Sequence, residues 1–170
     1  MDKDFFIVHA IRSGDERKID IFIKKYYSKI YRYCLFRVRD TFMSEDLTQE
    51  TFLYFFKHLE GYRHYGKALN YLYVIARNKC IDYHRTKKDL YFEDVGKEIV
   101  GDSICEEDGY ILKIDVENAI EKLPEDIKET AILYFFQGLK QKEIAVILGI
   151  KLSLVKYRIF RAKTILSKYL

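Results

Sequence analysis

Phe22, Tyr26, Ile30, Tyr33 and Phe36 follow one another at intervals of four, four, three and three residues, which is the repeat of one face of an α-helix. Similar rows recur along the chain, and strand-like alternation is hard to find. Turn punctuation is sparse, with one proline and eight glycines in 170 residues. Such a chain must bury helical stripes against one another, so the expected fold class is all-α. A hydrophobic share of 49% supplies a core and excludes wholesale disorder. No apolar run is long enough for a membrane span, and the charged N-terminal stretch does not fit an export signal. The expected location is therefore the cytoplasm, with no membrane insertion. Cys34, Cys80 and Cys105 are odd in number and widely spaced, which suits a reducing compartment better than a disulfide framework.

The helix boundaries follow from local chemistry. The first stripe predicts a helix from about Lys18 to Arg39. A second is expected to start at Ser44 as N-cap, with Glu45 and Asp46 favoured in its first turn by the helix dipole, and to run to about Leu59. A third is expected over Ala68 to Lys88. Pro124 suits the first turn of a fourth, followed by Glu125 and Asp126, with Gly138 as its left-handed stop. A short helix over Gln141 to Leu148 is closed by Gly149, and a last one runs from Leu152 to the C-terminus. The final pair reads as a helix-turn-helix.

Charge divides the chain. Residues 1–88 carry 18 Lys and Arg against 11 Asp and Glu, residues 89–118 carry 2 against 10, and residues 119–170 carry 10 against 5. Two basic helical domains are thus expected, 1–90 and 115–170, joined by an acidic linker, 91–114. Two basic blocks on a tether suit a two-point grip on a polyanion; solvated surface is the plainer alternative.

The last helix is the most informative element. At about 100° per residue, Leu152, Val155, Ile159, Ala162, Leu166 and Tyr169 form a core stripe. Opposite it fall Ser153, Leu154, Tyr157, Phe160, Arg161, Thr164 and Lys168, flanked by Lys156, Arg158 and Lys163. Cations mixed with exposed aromatic and apolar groups suit phosphate contact and base-edge reading. A second apolar face against another domain is the alternative. Nothing in the sequence points to catalysis, a metal or a cofactor: His9, His58, His64 and His84 have no metal-ligand spacing, and no phosphate loop or nucleophile motif is present.

Two separate segments resemble one known family. SEDLTQETFLYFF, Ser44–Phe56, with LNYLYVIARNKCIDYHRTKK, Leu69–Lys88, is similar to region 2 of bacterial RNA polymerase sigma factors. LPEDIKETAILYFFQGLKQKEIAVILGIKLSLVKYRIFRAK, Leu123–Lys163, is similar to region 4. Their order and the short acidic segment between them resemble the extracytoplasmic-function class, which has only these two domains.

The resemblance implies three interfaces. Asp46, Gln49, Glu50 and Leu53, on one face of the second helix, would dock on core RNA polymerase. Tyr62, Arg63 and His64 in the following loop, with Tyr71, Asn78, Asp82 and Arg85 on the third helix, would hold the −10 promoter element as a single strand. Tyr71 stands where family members usually have Trp. Ser153, Lys156, Tyr157, Arg158, Phe160 and Arg161 would read the −35 element. Lys151, Leu154 and Tyr157 depart from the family pattern there, so the −35 sequence is not named. An anti-sigma factor is an implied partner. A stand-alone helix-turn-helix regulator and a polymerase-binding protein without promoter use are the alternatives.

Overall fold

The computed structural model describes residues 3–63, 67–93 and 118–169, which form helices joined by turns and short irregular links. The chain divides into two compact units, Met1–Ser103 and Ile104–Leu170. The expected acidic linker, 91–114, lies outside the described residues save its first three, which continue a helix.

Among its described residues the first unit has four helices: α1 (Lys3–Arg12), α2 (Arg17–Val38), α3 (Thr41–Lys57) and α4 (Ala68–Glu93). α2, α3 and α4 pack on one another, and α1 lies on α2. The predicted stripe of α2 builds the core, with Phe22, Tyr26, Ile30 and Tyr33 buried. Cys34 and Val38 are buried too, whereas Phe36 is only half-buried. Phe22 stacks on Phe55 of α3 with ring centroids 4.9 Å apart, and Tyr33 meets Tyr73 of α4 edge-on at 5.5 Å. Each buried ring is worth about 1.5–3 kcal/mol by area alone.

Three features of this unit differ from expectation. α1 was not foreseen. α4 runs past Lys88 to Glu93. The third concerns the start of α3: Asp40 is the N-cap, and its carboxylate accepts the Met43 N–H at 3.0 Å. Ser44 is instead buried inside the helix, its hydroxyl donating to the Asp40 carbonyl at 2.5 Å. Thr48 and Thr51 do the same one and two turns on, donating to the carbonyls of Ser44 and Leu47. A hydroxyl facing the core finds its acceptor four residues back when no external partner is near. Ahead of this cap, α2 ends on Arg39 in the left-handed conformation, φ 52°.

The second unit has a helical stretch at 118–121, then α5 (Glu125–Ala131), α6 (Gln141–Leu148) and α7 (Leu152–Leu166). α7 packs on both α5 and α6. Pro124 caps α5 as its fixed φ allows, and its carbonyl receives the N–H groups of Ile127 and Lys128. α5 then widens into a π turn, Ile132–Phe136, closed by the Gln137 N–H on the Ile132 carbonyl. This turn carries no periodicity signal of its own and was not expected. Gly138 and Gly149 are both left-handed, at φ 64° and 65°, as their stop positions require. In the stripe of α7, Val155, Ile159, Ala162 and Leu166 are buried. Tyr169, beyond the end of α7, is exposed instead, with the Lys122 ammonium 4.2 Å from its ring.

Candidate nucleic-acid interface

The outer face of α3 shows Asp46, Gln49, Glu50 and Leu53, all exposed, with Leu53 at 69%. Glu50 is not a loose charge: the Lys79 ammonium of α4 sits 2.8 Å from its carboxylate. Phe42 stands one turn ahead of Asp46 and is 80% exposed. A helix starting at Ser44 leaves Phe42 outside it; with the cap at Asp40, Phe42 falls in the first turn. The face thus joins acidic and amide groups to two bare apolar side chains, a surface that suits a docked protein better than water.

The α3–α4 connection and the outer face of α4 form a second surface. Asn78, Asp82 and Arg85 are exposed along one side of α4, and Arg85 pairs with Asp82 at 3.0 Å. Arg63 is exposed, while His64 and Tyr65 lie outside the described residues. Tyr62 departs from the picture of an open stacking group. Its ring is buried, stacked on Tyr71 at 5.1 Å and 5.4 Å from Phe55. Tyr71 is half-buried, and desolvation, with a smaller contribution from Tyr54, raises its phenol above the ordinary value. The two tyrosines form one aromatic wall rooted in the core, with the half-buried Tyr71 as its outer course.

α7 carries the third surface. Ser153, Lys156, Tyr157, Phe160 and Arg161 are exposed as the periodicity predicts, Tyr157 at 54% and Phe160 at 67%. Leu154 joins them. Arg158 does not stand with them: its side chain folds inward, 16% exposed, and reaches Asp126 of α5 at 3.2 Å. Lys151 precedes α7 without a side-chain cap, as a lysine must. On α6, Val146 is 70% exposed and was not foreseen; a single bare valine on a short helix leaves no pattern in sequence.

Two family models match the chain, Sigma-70 region 2 over residues 22–89 and Sigma-70 region 4 over residues 113–166. The ECF RNA polymerase sigma factor SigM of Bacillus subtilis (strain 168) is 30% identical over 151 residues, covering 85% of this chain and 90% of that protein. The chain belongs to the ECF sigma factors. SigW of the same organism, another ECF RNA polymerase sigma factor, is 28% identical over 177 residues, covering 96% of this sigma factor and 94% of the relative. Among solved structures, the fold is shared with the sigma factor RpoE from Bartonella quintana, determined in complex with the anti-sigma factor NepR. That likeness has a TM-score of 0.76 at 20% identity, over 88% of this chain and 94% of RpoE. CnrH, solved with the cytosolic domain of CnrY, matches with the same score and identity over 98% and 96%. α3, most of α4 and all of α5–α7 fall within the two matched regions of the sigma factor, and α1 falls outside both. Among the described residues no helix is long and apolar enough to cross a membrane, and no cluster of His, Cys, Asp and Glu could hold a metal.

Proposed function

We propose that this sigma factor works as a cytoplasmic, non-catalytic specificity subunit, with each of the three surfaces bound to one target. Core RNA polymerase docks on Asp46, Gln49, Glu50 and Leu53, with Phe42 added at the edge. The −10 element passes as a single strand over Arg63, His64, Tyr71, Asn78, Asp82 and Arg85, with Tyr62 backing Tyr71. Splayed bases need a π surface and hydrogen-bonding edges, and Tyr71, with Asn78 two turns further along α4, offers both. The −35 duplex is read by Ser153, Lys156, Tyr157, Phe160 and Arg161 in the major groove, with Arg158 orienting the helix from behind. Residues 91–114 serve as the acidic tether between domains 1–90 and 115–170.

The observation that carries this reading is the exposed row of α7, where the aromatic side chains of Tyr157 and Phe160 stand with the cations of Lys156 and Arg161 on a face exposed to solvent. A stand-alone regulator would leave the α3 face without a task. The solved complex of RpoE with the anti-sigma factor NepR supports an anti-sigma factor as a further partner, one that would cover the exposed apolar groups. Transcription from genomic DNA with core enzyme and this protein, followed by 5′-end mapping, tests the function. Starts that require both components support it. Duplex binding without core enzyme, and no mapped start, would overturn it.

A further inference from the structure

α1 lies outside both matched regions, yet it grips the connection that leads into the proposed −10 surface at both ends. At the near end, Arg12 donates from Nε and Nη2 to the Leu59 carbonyl, at 2.9 and 2.7 Å, and from Nη2 also to the Tyr62 carbonyl. At the far end, Asp4 is buried and accepts the backbone N–H of Ala68, the first residue of α4. Its carboxylate is itself held by Lys25 and the Tyr26 hydroxyl of α2, both at 2.5 Å. One helix thus caps the frayed carbonyls after α3 with a cation and the N-terminus of α4 with an anion, each matched in sign to the dipole it meets.

We infer that Arg12 and Asp4 are positioning residues for promoter recognition: by clamping Leu59, Tyr62 and Ala68 they set where Tyr71 and Arg63 present themselves to a base of the −10 element. The inference rests on the −10 assignment proposed above. Its physical basis is that the described part of the connection, 58–63 and 67, has no regular structure to hold it. The Tyr62 backbone, which carries one half of the aromatic wall, is tied directly to the Arg12 guanidinium. Loss of that tie releases the wall by tenths of an ångström without removing a group that touches DNA, and recognition geometry is sensitive on that scale.

The test uses the full chain with core enzyme on a promoter found by 5′-end mapping, carrying a fluorescent base in the −10 element, and on all single-base variants of that element. Arg12→Ala is expected to bind core and the −35 duplex as the parent does. Its opening rate on the best sequence should fall ~10-fold, and its discrimination between best and substituted bases should narrow by a similar factor, the scale of lost hydrogen bonds to a charged group. Arg12→Lys, which keeps the charge as a point donor, should recover only part of the discrimination. If Arg12→Ala does not fold, Arg12→Gln is read in the same assay. Unchanged discrimination in a folded Arg12 variant, or a loss equal for every base, would overturn the inference. Asn78→Ala serves as the control: if it alters base selection and the Arg12 variants do not, the clamp is wrong. If neither alters it, the −10 assignment is wrong and the clamp falls with it.

Discussion

Arg158 leaves the exposed row of α7 and places its guanidinium 3.2 Å from the carboxylate of Asp126 in the first turn of α5. The pair ties α7 to the element it packs on. Arg161, three residues further, faces outward. The two arginines therefore predict different phenotypes. Arg161→Ala should cost ~1–3 kcal/mol of −35 binding and relax one base position. Arg158→Ala should lower thermal stability by about 1 kcal/mol and weaken binding to all sequences alike. Binding to a panel of −35 variants, alongside melting curves, separates them; one shared profile would contradict the geometry.

Asp46 and Glu50 are also unequal. Glu50 is paired with Lys79, so part of its charge is answered within the protein. An exposed pair of this kind contributes about 0–1 kcal/mol to folding. Charge reversal at Asp46 is expected to weaken core association more than Glu50→Gln does, and Phe42→Ala should weaken it with little dependence on salt. Core-binding titrations at two ionic strengths check all three, and core affinity unchanged by Asp46→Lys would remove the α3 face from the interface.

Asp4 makes stability depend on acid. Burial by itself pushes its carboxyl up, but hydrogen bonds from Lys25, Tyr26 and the Ala68 N–H, with the Lys25 charge, outweigh this and leave it below the ordinary 3.8. A group depressed on folding stabilises above its unfolded value, and that stability is lost as pH falls through the folded value. Asp4→Asn should therefore be less stable than the parent by ~1–3 kcal/mol at neutral pH. The difference should shrink as pH falls below about 4, where the unfolded state of the parent takes up the proton first, and should close only once the folded carboxyl is protonated as well. Denaturant melts across that range measure it, and a difference constant with pH would count against the network.

Cys34 and Cys80 are fully buried and hydrogen-bonded thiol to thiol. That bond from Cys80 leads in drawing the Cys34 thiol down, against desolvation and with help from Thr48. Access rather than acidity should control reactivity here. Mass-spectrometric mapping of alkylation is expected to find both unmodified in the native protein and modified together on unfolding. Labelling of either one under native conditions would show that α2 and α4 separate locally.

Periodicity made most of the architecture legible, because a stripe of Phe22, Tyr26, Ile30 and Tyr33 has one way to be buried. It also separated the two sides of α7 correctly at Val155, Ile159, Ala162, Tyr157 and Phe160. It failed where reach or context decides. Arg158 sits on a flank, and only the position of Asp126 tells whether it turns in or out. Tyr62 belongs to an irregular segment, and its burial depends on a partner, Tyr71, nine residues on. α1 is ten residues long, and its inner side mixes the carboxylate of Asp4 with Val8, Ile7 and Ile11, too short and too mixed a stripe to stand out. Ser44 and Asp40 are both good caps by residue type, and burial settled the choice.

Ser44, Thr48 and Thr51 line the inner side of α3 with short side chains that answer their own hydrogen-bonding needs. Neighbouring helices can therefore press close to the α3 backbone without having to satisfy anything there. The outward row of Phe42, Asp46, Gln49 and Leu53 is mounted on a rod with little slack. Entropy lost in ordering a flexible docking segment is a large part of what weakens association. Here that loss is confined to side chains, because the backbone beneath them was immobilised when the protein folded.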